Sequence, residues 1–207
     1  MPEIHEKDRI LNSAEDKFLS QGFSKVTVDE LAADLGMSKK TIYKFFPSKE
    51  DIMRAIMRMI MKRIERQVTT IVESDQPFEQ KFTEFLGMLA RLTSRIGKQF
   101  QKDIKRHMPE LEREMETFRR EKVFGKLIPL FQQAKAEGFL REDLNVEIFM
   151  LVFTNAVQGI MTPSVLAMHS FSAEEAFRQI FRVLFEGILT NDARQRFNFF
   201  TPSQGRL

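Results

Sequence analysis

The sequence predicts an all-α fold of about nine helices, and three observations lead there. Apolar residues recur three and four positions apart along almost the whole chain, the spacing that lines one face of a helix. Nowhere do apolar and polar residues alternate over five positions between turn signals, so no strand is expected. Glycine and proline fall where the helical spacing breaks, at Gly22, Gly36, Pro47, Pro77, Gly138 and Pro163. With 207 residues, 43% hydrophobic and 29% charged, the composition is that of a soluble globular protein long enough to bury a sizeable core.

The first helix is expected over residues 2–21, with Ile10, Leu11, Ala14, Phe18 and Leu19 on one face and Gly22 closing it. Thr27 and Glu30 stand at capping-box spacing and open a second helix, whose Val28, Leu31, Ala32 and Leu35 face inward until Gly36 ends it. Ser38 is the N-cap candidate for a third helix, residues 39–45, which Pro47 stops. Ser48 and Asp51 start a fourth, running to about Val72, with Ile52, Ile56, Ile64, Val68 and Ile71 inward. Its other face carries Arg54, Arg58, Lys62 and Arg66, a stripe that reads first as a solvated surface. Three helices in under 50 residues make a small core, so this fourth is expected to wall it.

After a break at residues 74–77, a fifth helix follows over 78–95, then a short segment over 99–107. A longer helix is expected over 109–137, interrupted by Gly125 and Pro129. Residues 146–161 are apolar nearly all round and must be covered on both sides. Ser172 and Glu175 open the last helix, to about residue 189. Residues 192–207 lack a helical pattern; this tail is expected to be disordered or to dock Phe197, Phe199 and Phe200 on a partner.

Composition excludes several functions. There is no Cys, so disulfides, thiol chemistry and Cys-ligated metals are ruled out, and a reducing cytoplasm is the expected location. The first residues lack the apolar core of a signal peptide, and no stretch is long enough to span a membrane. Three scattered His make a metal site unexpected, and no nucleophile motif, phosphate loop or metalloprotease motif supports an enzyme or a cofactor. Net charge is +3, yet residues 1–50 hold 8 basic and 9 acidic side chains, so overall charge does not argue for nucleic acid. The local pattern does: from Leu35 to Lys49 there are four Lys and no acid.

That stretch is a helix, a glycine turn and a short second helix, the arrangement of a helix-turn-helix. Its second helix presents Ser38, Lys39, Lys40, Thr41, Tyr43 and Lys44, while Ile42 and Phe46 turn inward. It reads either as the element that enters a DNA major groove or as an amphipathic pair with surface lysines.

The run Thr27, Leu31-Ala32, Leu35-Gly36-Met37-Ser38-Lys39, Thr41-Ile42-Tyr43, Phe46-Pro47-Ser48-Lys49-Glu50 and Ile52 resembles the DNA-binding signature of the tetracycline-repressor (TetR) family. Ala14, Phe18, Gly22-Phe23 and Val26 extend the resemblance backwards, so it covers about the first 55 residues. Two positions depart from it: Phe45 stands where the family often has His or Tyr on a phosphate, and Lys40 where Gly is common.

The resemblance implies a helix-turn-helix domain in residues 1–50, a helical ligand-binding and dimerisation domain in 51–191, and the tail in 192–207. It implies a ligand-responsive regulator, a repressor by expectation, that binds a palindromic double-stranded operator as a homodimer. Lys39, Lys40, Thr41 and Lys44 would face base edges or adjacent phosphates; Thr27, Ser38, Tyr43 and Lys49 would hold phosphates. The last two helices would pair with their symmetry copies through Phe149, Phe153, Val157, Phe177, Ile180, Phe181, Leu184, Phe185 and Ile188, unless these simply fill a large core. With 21 Phe and 12 Met in the whole chain, the helical half suits a small apolar or aromatic effector, with Phe118, Phe131, Thr154, Asn155 and Gln158 as candidate contacts. The alternative from another class is a helical protein-interaction module without DNA binding, which the acidic balance of residues 1–50 and Phe45 favour.

Overall fold

The computed structural model describes residues 2–95, 98–160 and 163–196, and among them the fold is all-α. The helices are α1 (Pro2–Gln21), α2 (Val28–Leu35), α3 (Lys39–Phe45), α4 (Lys49–Glu73), α5 (Phe78–Arg95), α6 (Lys98–His107), α7 (Pro109–Phe118), α8 (Gly125–Ala136), α9 (Val146–Ile160), α10 (Pro163–Met168), α11 (Ala173–Ile188) and α12 (Asn191–Arg196). Between α7 and α8 the backbone widens into a π-helical stretch, Arg119–Phe124. The helix expected over 109–137 is thus interrupted just before Gly125 rather than at Pro129, which lies inside α8. Pro129 has no N–H for the carbonyl four residues back, which belongs to Gly125.

Two short helices were not expected. One is α10, where Pro163 opens a turn rather than only stopping α9. The other is α12: residues 191–196, assigned to the tail, form a helix capped by Thr190, whose Oγ1 accepts the Ala193 N–H at 3.2 Å. The aromatics Phe197, Phe199 and Phe200 lie outside the described residues.

The chain forms two compact units, residues 1–67 with 91–119 and residues 68–90 with 120–207. In the first, α1 to α3 do not rely on α4 alone for their cover. Phe100 and Ile104 of α6, Met108 and Leu111 join Ile10, Phe18, Leu31, Ile42, Ile52 and Ile56 in one core. This unit is therefore larger than a domain ending at residue 50, because three short helices need more apolar surface than α4 supplies. The second unit is built on phenylalanine. Phe181 and Phe185 stack at 3.9 Å, and Phe185 lies 4.8 Å from Phe82, 5.2 Å from Phe149 and 5.6 Å from Phe131. Helices α8, α10 and α11 all pack on α9. An antiparallel bridge, Leu140 with Leu189, ties the loop after α8 to the end of α11, with Arg141 N–H on the Ile188 carbonyl at 3.0 Å.

Candidate nucleic-acid interface

The helix-turn-helix is fixed by local chemistry at each joint. Thr27 caps α2 in a complete capping box: its Oγ1 accepts the Glu30 N–H at 3.2 Å, and its own N–H donates to Glu30 Oε2 at 2.7 Å. That backbone bond, reinforced by the Thr27 hydroxyl, holds the Glu30 carboxyl below its ordinary pKa. Gly36 adopts φ 62°, and the Met37 N–H returns to the Ala32 carbonyl at 2.9 Å, so α2 closes and the chain reverses. Arg9 of α1 donates to the Leu35 carbonyl at 3.2 Å, and Lys17 pairs with Asp34 at 2.6 Å, which bind the end of α2 to α1. Ser38 then caps α3 through the Thr41 N–H at 3.0 Å.

The eight expected DNA contacts fall in one compact unit, with different degrees of presentation. Ile42 and Phe46 are buried and hold α3 by its inner face. Lys39, Lys40, Tyr43 and Lys44 lie exposed on the rest of α3, with Tyr43 45% accessible. Lys39 pairs with Asp29 at 2.6 Å, a surface pair worth well under ~1 kcal/mol. The Lys44 ammonium lies 5.5 Å from the Phe45 ring centre. Thr27, Ser38 and Thr41 spend their hydroxyls locally: Ser38 Oγ and Thr41 Oγ1 are 2.8 Å apart, and Thr27 Oγ1 is engaged by Glu30.

Lys49 is placed otherwise than expected. It is half-buried; its Nζ donates to the Val26 carbonyl at 2.9 Å and lies 4.3 Å from the Phe23 ring centre. Burial pushes its pKa down, against the pull of Glu50, Asp103 and Glu30. The ammonium thus grips the turn before α2.

The same turn is held from α6 by a group the sequence did not flag. Asp103, 3% exposed, accepts the Ser24 N–H at 2.7 Å and the Gln99 Nε2–H at 2.7 Å. Burial raises its pKa, but the bonds from Ser24 and Gln99 and the field of His107 bring the net value below the ordinary carboxylate range. Gly22 sits beneath it at φ 97°, where a Cβ would meet Gln99 Cγ at 2.5 Å. The available signal was a lone acid in an otherwise basic helix, KQFQKDIKRH.

The effector candidates sit within their own units. Phe118 belongs to the first unit, and Phe131 is buried among the rings of the second. Thr154 is half-buried. Asn155 is exposed, its amide donating to the Leu151 carbonyl of its own helix at 2.8 Å. The Gln158 side chain lies outside the described residues. A groove of about 240 Å³, below the ~300–1,000 Å³ of ordinary ligand pockets, runs instead along Arg141, Leu144, Asn145, Ile148, Val152 and Ile188.

Most of the residues expected at a dimer contact lie inside their own unit. Phe149, Phe153, Ile180, Phe181, Phe185 and Ile188 are 2–8% exposed and fill the core of their own unit. Only Val157, Phe177 and Leu184 are half-buried. A helix apolar all round gives no phase, and the rings took the interior while aliphatic side chains took the outside. Ile148, Leu151 and Val152 of α9 and Val183 of α11 are 47–69% exposed.

A capped, glycine-closed helix pair presenting a lysine- and tyrosine-bearing outer face defines a helix-turn-helix DNA-binding protein. Residues 10–56 match the model of the bacterial regulatory proteins, tetR family. Over 173 residues the chain is 26% identical to the uncharacterized HTH-type transcriptional regulator YvaF of Bacillus subtilis (strain 168), covering 83% of this chain and 90% of that one. The fold is similar to the ketosteroid transcriptional regulator KstR2 of Mycobacterium tuberculosis, with TM-score 0.58, 16% identity and 90% and 96% of the two chains covered. It is also similar to SmeT, the repressor of the Stenotrophomonas maltophilia multidrug efflux pump SmeDEF, with TM-score 0.62, 15% identity and 95% and 94% covered. Residues 10–56 thus carry a tetR-family DNA-binding region, and over most of its length the chain is similar to an HTH-type transcriptional regulator. No helix among the described residues is long and apolar enough to cross a membrane.

Proposed function

We propose that the chain is a repressor that binds a palindromic operator as a homodimer and changes affinity when a small, mostly apolar effector occupies its helical half. The observation that carries this reading is α3: capped at Ser38, seated on Ile42 and Phe46, and exposing Lys39, Lys40, Tyr43 and Lys44. Residues 1–50 read DNA, and residues 51–191 bind ligand and dimerise. Lys40 and Lys44 reach base edges or phosphates as point charges, and Lys39 exchanges Asp29 for a phosphate. Tyr43 donates its phenol to the backbone of the duplex. Thr27, Ser38 and Thr41 act chiefly by fixing the helices, since their hydroxyls are already engaged.

The second copy is supported by the face that Ile148, Leu151, Val152 and Val183 leave in water. Two reading helices about 34–36 Å apart would meet one face of a duplex, one turn apart. The effector reading is supported by the phenylalanine-rich interior around Phe131, which an apolar molecule could enter only by displacing a ring. Such a ligand acts only by binding one helix arrangement better than another, typically by about 1–3 kcal/mol. The test selects a duplex from random-sequence DNA with the full-length protein and measures affinity against salt. A steep loss of binding with salt, a two-fold symmetric selected site and weakening by Lys44→Ala are the expected results. A protein that is monomeric by light scattering, or that selects no duplex, overturns the reading.

A further inference from the structure

Helix α6 belongs to the same compact unit as the reading helix. Its buried side is Phe100 and Ile104, 1% and 3% exposed. The adjacent strip, Gln99 and Asp103, four apart, faces the turn between α1 and α2, with Asp103 Oδ2 2.7 Å from the Ser24 N–H. At 100° per residue the next strip, on the far side of Asp103 from the core, is Lys102 and Arg106, with Lys105 beyond. All three are exposed, and none pairs with an acid among the described residues. Lys25, also exposed, follows Ser24 directly, and Thr27 at the start of α2 is two residues further on.

We infer that Lys102 and Arg106, with Lys25, form a second phosphate-holding surface that carries the duplex past the stretch contacted by α3. This rests on the DNA-binding reading and extends its footprint. Complementing the dipole at the end of α6 accounts for Lys105, Arg106 and His107 in the last turn but not for Lys102, which precedes that turn. Acidic α7 follows α6 immediately, yet its Glu114 lies 3.8 Å from Arg58 of α4 and pairs with none of these three cations. The strip therefore keeps its charge for an outside anion. It lies beside a turn that Asp103 and Lys49 hold from two sides, so phosphates here are gripped at a fixed distance from those contacted by α3.

The experiment uses the full-length protein and the duplex it selects from random-sequence DNA. The double variant Lys102→Gln/Arg106→Gln is compared with wild type and with Lys44→Ala, after equal thermal midpoints establish that both fold. The double variant is expected to bind about tenfold more weakly at low salt and to keep its sequence preference. Its salt slope falls by about 0.9 for each phosphate released. Ethylation interference at phosphates outside the half-site is expected to vanish, and the charge-keeping variant Lys102→Arg/Arg106→Lys restores it. If Lys44→Ala weakens binding while the double variant leaves slope and interference unchanged, the second surface is refuted and the reading helix stands. If wild-type protein selects no duplex, both fall together.

Discussion

Around the reading helix, position is set by polar clamps; around Phe131 it is set by ring against ring. In the first unit Glu30 holds Thr27, Ser38 holds the Thr41 N–H, Asp51 holds Ser48 at 2.6 Å, Asp103 holds Ser24, and Arg63 grips the buried Glu15 through two bonds of 3.2 and 3.3 Å. Each bond is directional and costly to leave unmade once buried. In the second unit the phenylalanine pairs meet at interplanar angles from 17° to 89°. Packing of that kind is set by ring contacts rather than by directional hydrogen bonds. Polar bonds supplement the rings there: Lys81, 5% exposed, donates to the Val72 carbonyl at 3.0 Å and to Gln133 at 3.3 Å, Lys126 bonds Thr69, Lys135 donates to the Leu144 carbonyl at 2.8 Å, and Arg141 donates to the Gly187 carbonyl at 3.2 Å. If the proposed function holds, the difference puts exact spacing where the protein would meet phosphates and ring packing where an apolar ligand would bind.

The sharpest way to break that contrast is to remove a ring. Phe131→Ala is expected to cost about 3–5 kcal/mol in denaturant unfolding. The cavity left behind should take up benzene, with a rise in Tm, because its lining is apolar. Phe131→Leu should lose much less. A loss as large as that of Ala would show the rings to be as position-specific as the clamps.

The next effect belongs to the first unit. Gly22→Ala is expected to cost about 2–4 kcal/mol, combining strained backbone with overpacking. The added Cβ would stand 2.5 Å from Gln99 Cγ and 2.9 Å from Asp103 Oδ2, at φ 97°. Gly36→Ala, at φ 62° with open space around it, isolates the backbone share at about 1–2 kcal/mol. Equal losses at the two glycines would remove α6 from the account of how the turn is held.

Asp103→Asn follows, with an expected loss of about 1–3 kcal/mol at neutral pH. The folded state keeps this carboxyl below its ordinary pKa, so its contribution is present above the unfolded value and disappears as pH falls through the folded one. The gap between wild type and Asp103→Asn should therefore be full near neutrality and shrink below about pH 4. A gap that does not change with pH would assign Asp103 to packing.

What was legible in the sequence was local. The caps at Thr27, Ser38, Ser48 and Ser172, and the closing turn at Gly36, depend on residues three or four apart, and each forms as expected. What was not legible depended on distant partners. Ser24 and Asp103 are 79 residues apart, and Glu15 and Arg63 are 48. Helix α9 hides its phase because nearly every position is apolar, and the outer face is taken by Ile148, Leu151 and Val152 rather than by Phe149 and Phe153. Helix α12 was missed although Thr190 caps it, because six residues are too few to show a period.

Lys49 offers the smallest effect and the finest test. The sequence points its ammonium at a phosphate, whereas the structure gives it the Val26 carbonyl and the Phe23 ring. Lys49→Met keeps the stem over Phe23 and removes the bond to Val26, so stability should fall by about 1 kcal/mol. Burial already lowers the pKa of this ammonium, which means part of its charge is spent against desolvation rather than aimed at solvent. The salt slope of DNA binding should then stay within about 0.5 of wild type, less than the ~0.9 of one phosphate contact. A slope that falls by a full contact while stability holds would return Lys49 to the DNA and leave the turn to Asp103 alone.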